Sequence, residues 1–138
     1  SLTVFEGARD LTVNIRKAGA QVWICTTRPY LRLDNIDPDT RHFLRRNGIQ
    51  HDGFLYGERK YQDLVKIVGD ERVLVVLDDL PEQIEAANRL GLKTILRYGA
   101  HNAWYIEQPH CKDQEVTMTL GNVESRILSL IDERKNGK

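Results

Sequence analysis

The chain has 138 residues, of which 41% are hydrophobic and 29% charged, and its 20 basic residues balance its 20 acidic ones. This length suits one domain with a buried core, so we expect residues 1–138 to form a single domain. The balanced charge excludes a bulk electrostatic attraction to nucleic acid. No apolar stretch approaches the roughly 20 residues that span a bilayer, and the two cysteines fit no metal-ligand spacing. Residues 1–6 lack the features of a signal peptide, so we expect a cytoplasmic, disulfide-free protein with no membrane partner.

Short apolar runs alternate with helical patterns along the chain. The spacing of apolar positions and the Gly and Pro stops predict helices over Ala8–Ala18, from Asp37 to Gly48, and over Tyr61–Val68, Pro81–Leu90 and Asn122–Arg134. Apolar runs predict strands over Val22–Cys25, Gly53–Tyr56, Val73–Leu77 and Thr94–Arg97, with Ala100–Asp113 as a loop and Glu115–Leu120 as a candidate edge strand. Two helices have a predicted core face, formed by Leu64, Ile67 and Val68 and by Val123, Ile127, Leu130 and Ile131. The alternation predicts an α/β fold of three layers, with helices on both faces of a doubly wound, mostly parallel sheet.

The most informative pattern is the apolar run Val73–Leu77, which two aspartates, Asp78 and Asp79, follow directly. The run predicts a strand buried on both faces, and ligands bind at the carboxyl ends of such strands. Adjacent carboxylates repel each other unless a cation or proton compensates, and Mg²⁺ prefers carboxylate oxygen. The alternative interpretation is a strand end followed by a helix cap, since Leu80-Pro81-Glu82 is typical of a helix start.

Two more polar groups occur at equivalent places. Thr26, Thr27 and Arg28 follow the first predicted strand, and Lys60 precedes a predicted helix. A hydroxyl, an ammonium group and a metal-binding acid pair are together what a phosphoryl group needs. Arg28 adds a guanidinium that can bind phosphate through two hydrogen bonds. Taken singly, a Thr-Thr pair after a strand is usually a turn, and a lysine at a helix start is usually solvated.

In this order and spacing, the motifs resemble those of the haloacid dehalogenase-like (HAD) phosphohydrolases. The Val22–Pro29 segment is similar to the family's second motif, with Thr26 at the phosphate-binding position and Thr27 as second choice. Lys60 matches the lysine of the third motif, and Val73–Asp79 is similar to the fourth. The resemblance covers residues 7–102 and leaves 103–138 as a C-terminal extension.

The resemblance implies a Mg²⁺-dependent phosphomonoester hydrolase that works through an aspartyl-phosphate. It implies catalytic roles for Thr26 and Lys60, substrate binding by Thr27 and Arg28, and metal binding by Asp78 and Asp79. The short Tyr30–Asp37 connection favours a capless or minimal-cap enzyme. Such enzymes reach bulky substrates, so the expected partner is a phosphorylated small molecule, a nucleotide or a nucleic acid end.

The chain departs from the family at the first motif, whose Asp-x-Asp-x-Thr sequence carries the nucleophile on the central strand. Residues 1–6 contain no aspartate, and Asp37-Pro38-Asp39-Thr40 is better interpreted as a helix cap and first turn. A central strand cannot be missing from a buried sheet, because its neighbours' backbone groups need partners. The strand could come from an upstream segment of a longer protein, which we favour, from another chain, or from Glu115–Leu120.

The missing motif leaves a second hypothesis, a non-catalytic HAD-like module for binding or assembly. A receiver domain like those of response regulators is a weaker alternative, because its acid pair comes on the first strand. His101 and Asn102 follow the last core strand, and we interpret them as part of a polar loop rather than as substrate ligands.

Overall fold

The computed structural model describes residues 8–26, 45 and 48–137. They belong to two compact units, one drawn from Ser1–Lys60 and Glu124–Lys138 and the other from Tyr61–Val123. Each unit contains its own parallel sheet, so the described part of the chain is an α/β protein with parallel strands. The prediction of a single domain stays a prediction.

The regular elements follow one another in the predicted order. The α-helices are α1 (Ala8–Lys17), α2 (Lys60–Val68), α3 (Pro81–Arg89), α4 (Ala103–Ile106) and α5 (Leu120–Lys135). The strands are β1 (Trp23–Thr26), β2 (Gly53–Tyr56), β3 (Val76–Asp78), β4 (Thr94–Arg97) and β5 (Val116–Thr117). Within the described ranges, three short 3₁₀ helices span Asp70–Arg72, Ala100–Asn102 and Pro109–Cys111. The predicted helix from Asp37 to Gly48 falls almost entirely outside the described residues.

The sheet of the first unit consists of β1 and β2, paired in parallel with Trp23 opposite Gly53 and Thr26 opposite Tyr56. The indole of Trp23 covers Gly53 so closely that a Cβ there would lie 2.5 Å from the indole Cε2. Gly53 is therefore the residue that lets the indole pack flat on the neighbouring strand. None of the residues in β1 and β2 is fully buried.

A salt bridge fixes helix α1 to the segment that enters β2. Arg16 donates through Nε and Nη2 to the two carboxylate oxygens of Asp52, at 3.2 and 2.9 Å, and through Nη1 to Gln50. The same carboxylate accepts the N–H of Val22. The Arg16 guanidinium and the Val22 N–H hold the pKa of Asp52 below its usual value.

The sheet of the second unit has three parallel strands in the order β3-β4-β5. The middle strand, β4, is the best buried, and the side chains of Ile95 and Leu96 are almost inaccessible to water. Leu96 packs with Ile84 of α3, Tyr105 and Cys111 in one apolar cluster. Burial of these side chains contributes to the hydrophobic stabilisation of this unit.

Helix α5 confirms its predicted stripe, because Val123, Ile127, Leu130 and Ile131 are all buried. The predicted core face of α2 was wrong at one position, because Ile67 is 58% exposed. Ile67 lies roughly 120° around the helix from Tyr61 at 3.6 residues per turn. The buried face is instead formed by Tyr61 and Leu64, with Val68 half-buried.

The run Val73–Leu77 is a shorter strand than predicted. Pairing with β4 starts only at Val76, and Val73, Leu74, Val75 and Leu77 are half-buried. Among the described residues β3 pairs with β4 alone, so burial on both faces was wrong for most of this run. Among the described residues, no strand pairs with the backbone of residues 73–75.

Two further predictions for the C-terminal third change. The Ala100–Asp113 segment contains helical turns rather than an irregular loop, because its backbone closes in local turns such as Asn102 to Gly99 and Cys111 to Gln108. Strand β5 pairs with β4, on the edge away from β3. The Glu115–Leu120 segment therefore does not lie beside Asp78, and one of the three possible sources of a central strand is excluded.

No helix in the described ranges is both long and apolar enough to cross a membrane.

Candidate functional site

The carboxyl end of β1 brings together two of the predicted site residues. Thr26 is the last residue of β1, and the ammonium group of Lys60 donates to the carbonyl of the preceding residue, Cys25, at 3.3 Å. Lys60 is only 3% exposed, although lysine is almost never fully buried unless it is paired. Its position at the first residue of α2 aims it at this strand end. Thr27 and Arg28, the predicted substrate ligands, lie outside the described residues.

The carboxyl end of β3 carries Asp78, which is 8% exposed and strongly hydrogen-bonded. Its Oδ1 accepts the backbone N–H groups of Asp79 and Leu80, at 2.7 and 3.0 Å. Its Oδ2 accepts the hydroxyl of Tyr61 at 2.6 Å. These bonds stabilise a buried carboxylate and fix its orientation.

The alternative interpretation, a strand end followed by a helix start, matches the backbone here, because β3 ends at Asp78 and α3 begins at Pro81. The N-cap of α3 is Leu80, and no side chain makes a capping hydrogen bond there. Asp78 instead holds the turn between β3 and α3, because it binds the N–H groups of the two residues that follow it. The acid pair therefore lies where the sequence predicted, with a different local role for its first member.

Asp79 is the accessible member of the pair, with its side chain 53% exposed. Its Oδ2 lies 3.2 Å from Nε2 of His101, and its backbone carbonyl accepts the amide N–H of Asn102 at 2.8 Å. Asn102 itself is completely buried. The interpretation of His101 and Asn102 as a polar loop missed these contacts to the acid pair.

Three residues of this strand end were not among the predicted site residues, namely Tyr61, His101 and Asn102. Tyr61 directly follows Lys60 and is spaced with Leu64 on the buried face of α2, so its burial could be anticipated from the sequence. Its bond to Asp78 could not, because it depends on how α2 packs. Nothing in the sequence marks Asn102 as the residue that joins the ends of β3 and β4.

The donors at the end of β3 fit Mg²⁺ better than a transition metal. The described residues contain no group of three or more His, Cys, Asp or Glu side chains placed to hold a metal ion. Mg²⁺ does not need such a cage, since it keeps several waters and binds through one or two carboxylates together with substrate phosphate. The exposed carboxylate of Asp79 can serve as a direct ligand, and Asp78 fixes the backbone that carries it.

Two cavities lie away from these strand ends. One, of about 290 Å³ in the first unit, is bordered by Arg16, Ile49 and His51 among others. The other, of about 570 Å³ in the second unit, is bordered by Thr94 at the amino end of β4 and by Glu85 and His110. Neither of these two cavities is lined by Thr26, Lys60 or the acid pair.

Comparison with known proteins gives no assignment for this chain. No protein-family model matches it, and no curated protein or solved structure does so either.

Proposed function

We propose that this chain belongs to a Mg²⁺-dependent phosphomonoester hydrolase of the HAD type. A three-layer fold of this type would also need a central strand that carries the nucleophilic aspartate. An upstream segment or another chain would supply that strand. Two groups support the proposal, a buried lysine beside Thr26 and an accessible carboxylate at the end of β3. The first unit carries one group and the second unit carries the other.

The observation that carries the proposal is the placement of Lys60. The ammonium group of Lys60 is removed from water, which is costly unless hydrogen bonds or charged partners compensate for it. Its bond to the Cys25 carbonyl places it at the end of a parallel strand, beside the hydroxyl residue Thr26. A solvated lysine at a helix start, the alternative interpretation, would be exposed, whereas Lys60 is 3% exposed.

In this proposal Lys60 neutralises negative charge on the phosphoryl oxygens, and the hydroxyl of Thr26 donates a hydrogen bond to one of them. Preorganised donors of this kind stabilise charge that develops in the transition state. Asp79 would hold Mg²⁺, which when bound neutralises further phosphoryl charge. Asp78 orients the turn that carries Asp79, through its bonds to the two following N–H groups.

Two exposed side chains at the carboxyl ends of β4 and β5 support a choice of substrate class. Tyr98 and Met118 directly follow β4 and β5, and both are exposed, at 38% and 60%. Because the three strands are parallel, these side chains belong to the same sheet edge as the acid pair. An exposed aromatic ring stacks on any nucleobase. We therefore favour nucleotides or nucleic acid ends over small alkyl phosphates.

The experiment is hydrolysis of an aryl phosphate by the native polypeptide that contains these residues, with added Mg²⁺ and with a chelator. We expect activity that depends on Mg²⁺ and that falls by about a hundredfold or more in Lys60→Met, since one preorganised charge is worth that much. Asp79→Asn should require far more Mg²⁺. Absence of any Mg²⁺-dependent hydrolysis would refute the proposal and leave the non-catalytic module.

A further inference from the structure

The segment Gly99–Asn102, which we call the 99–102 turn, joins the ends of two strands in the second unit. The amide of Asn102 donates to the carbonyls of Asp79 and Arg97, at 2.8 and 2.9 Å, and its Oδ1 accepts the N–H of Gly99 at 3.0 Å. Asn102 is completely buried, so water does not compete for these bonds. The backbone of Asp79 is thereby fixed to the end of β4.

His101 acts on the side chain of the same residue. Its Nε2 lies 3.2 Å from the backbone carbonyl and 3.2 Å from the carboxylate Oδ2 of Asp79. Both oxygens are acceptors, so Nε2 must carry a proton and donate. One N–H within reach of both oxygens can hold the carboxylate in one rotamer relative to its own backbone.

The position of the imidazole depends on Gly99. A Cβ at that residue would lie 2.8 and 2.9 Å from Cε1 and Nδ1 of the His101 ring. The backbone of Gly99 is extended, with φ −155°, so an alanine there is not strained by its φ angle. Alanine at this position would therefore act by displacing the ring, which makes it a second way to test the contact without removing the histidine.

We propose that His101 is a positioning residue for Asp79. In this proposal the 99–102 turn holds the Asp79 carboxylate in the rotamer that would bind the metal of the proposed function, on which the inference rests. A ligand held in its binding rotamer loses less conformational freedom when the cation binds. Groups that orient a metal ligand typically change metal affinity by about ten- to a hundredfold when they are removed. Asp78 is oriented separately, by Tyr61 and two N–H groups.

The unit contains a matched control for this contact. His110 lies 3.5 Å from Oε2 of Glu85, and its side chain is 62% exposed, compared with 51% for His101. It is thus another exposed histidine beside a carboxylate, on residues that have no part in the proposed site. A general effect of removing a surface histidine should appear equally in His101→Ala and His110→Ala.

The experiment is titration of the ¹⁵N-labelled chain with Mg²⁺ alone, followed by the amide signals of Asp79 and Leu80. We expect His101→Ala and Gly99→Ala each to weaken Mg²⁺ binding by about tenfold or more. His101→Gln, which keeps an N–H donor, should recover part of the loss, and His110→Ala should bind as the unchanged chain does. Urea midpoints of all variants, measured without metal, check that they remain folded.

A second readout needs no metal. Three-bond couplings of the Asp79 Cβ protons should report one rotamer in the unchanged chain and averaged rotamers in His101→Ala. If the unchanged chain binds Mg²⁺ at Asp79 and His101→Ala binds it equally well, the positioning role is wrong and the metal site survives. If Asp79→Asn does not alter Mg²⁺ binding, or the unchanged chain binds none, the metal site and the positioning role are both wrong.

Discussion

The two parallel sheets are built from similar sequences and differ in burial. Strand β1 contains Trp23, Ile24 and Cys25, yet all its residues are half-buried, whereas three of the four residues of β4 are buried. Among the described residues β1 pairs with β2 alone, while β4 has a strand on each side and contributes Leu96 to an apolar cluster with Ile84 of α3. An apolar run therefore sets where a strand forms, and its neighbours decide how much of it is removed from water.

The difference matters because each sheet ends in part of the candidate site. The acid pair lies at the end of a strand in the well-buried three-stranded sheet. Thr26 lies at the end of a strand in the two-stranded sheet, whose apolar side chains are only partly buried. If the proposed central strand exists, it should cover apolar side chains of the first sheet.

The largest effect should separate two isoleucines at equivalent places. Ile95 of β4 is 1% exposed, so Ile95→Ala should lower the free energy of unfolding by about 2–5 kcal/mol. Ile24 of β1 is half-buried, so Ile24→Ala should cost only about 1–2 kcal/mol. Urea denaturation of the chain measures both. Equal losses would show that the first sheet is packed as tightly as the second.

A smaller effect is expected at the contact between the strands of the first sheet. Gly53→Ala places a Cβ against the Trp23 indole, and the shift this forces should cost about 1–3 kcal/mol. The matched control is Gly121→Ala in α5, where the nearest side-chain atom is 4.0 Å away. That change should be neutral or stabilise by up to about 1 kcal/mol. Thermal unfolding should rank the two variants in this order, and a neutral Gly53→Ala would contradict the close packing of the indole.

The hydrogen bond from the Tyr61 hydroxyl should stabilise the buried carboxylate of Asp78, the first member of the acid pair. Tyr61→Phe removes the donor to Asp78 Oδ2 and should cost about 1–3 kcal/mol, because the carboxylate is buried. Tyr105→Phe is the comparison, since its hydroxyl bonds to Glu85, whose side chain is 42% exposed and can bind water instead. Urea midpoints should fall further for Tyr61→Phe. The reverse order would mean that Asp78 has no need of this donor.

The smallest effect belongs to the Arg16–Asp52 pair, which is partly exposed and worth at most about 1 kcal/mol. Because the pKa of Asp52 is lowered in the folded chain, its stabilisation is present above the usual value of 3.8 and is lost as the pH falls through the lowered pKa. Asp52→Asn should therefore be less stable than the unchanged chain near neutral pH, and the two should converge in acid. A difference that persists in strong acid would contradict this origin.

The sequence predicted the elements whose signals are local. The stripe of α5, the limits of β4 and β2, and the start of α3 at Pro81 all follow from spacing and from Gly and Pro stops. The position of Asp78 at a strand end also follows, because the polar residue ends an apolar run. These features depend on neighbours within one or two helical turns.

What the sequence did not predict depends on packing between distant segments. The length of β3 is set by its pairing with β4, and the exposure of Ile67 is set by which face of α2 is covered. The roles of Tyr61 and Asn102 arise because α2 and the 99–102 turn meet the end of β3. A tyrosine on a helix and an asparagine in a loop carry no local signal of such partners.

The central proposal is Mg²⁺-dependent phosphate binding that requires both Lys60 and Asp79. The most direct measurement is calorimetric titration of the chain with inorganic phosphate, with and without Mg²⁺, because binding at linked sites must be reciprocal. We expect Mg²⁺ to strengthen phosphate binding, and we expect this enhancement to disappear in both Lys60→Met and Asp79→Asn. Phosphate binding that is indifferent to Mg²⁺, or an enhancement that survives both substitutions, would contradict it.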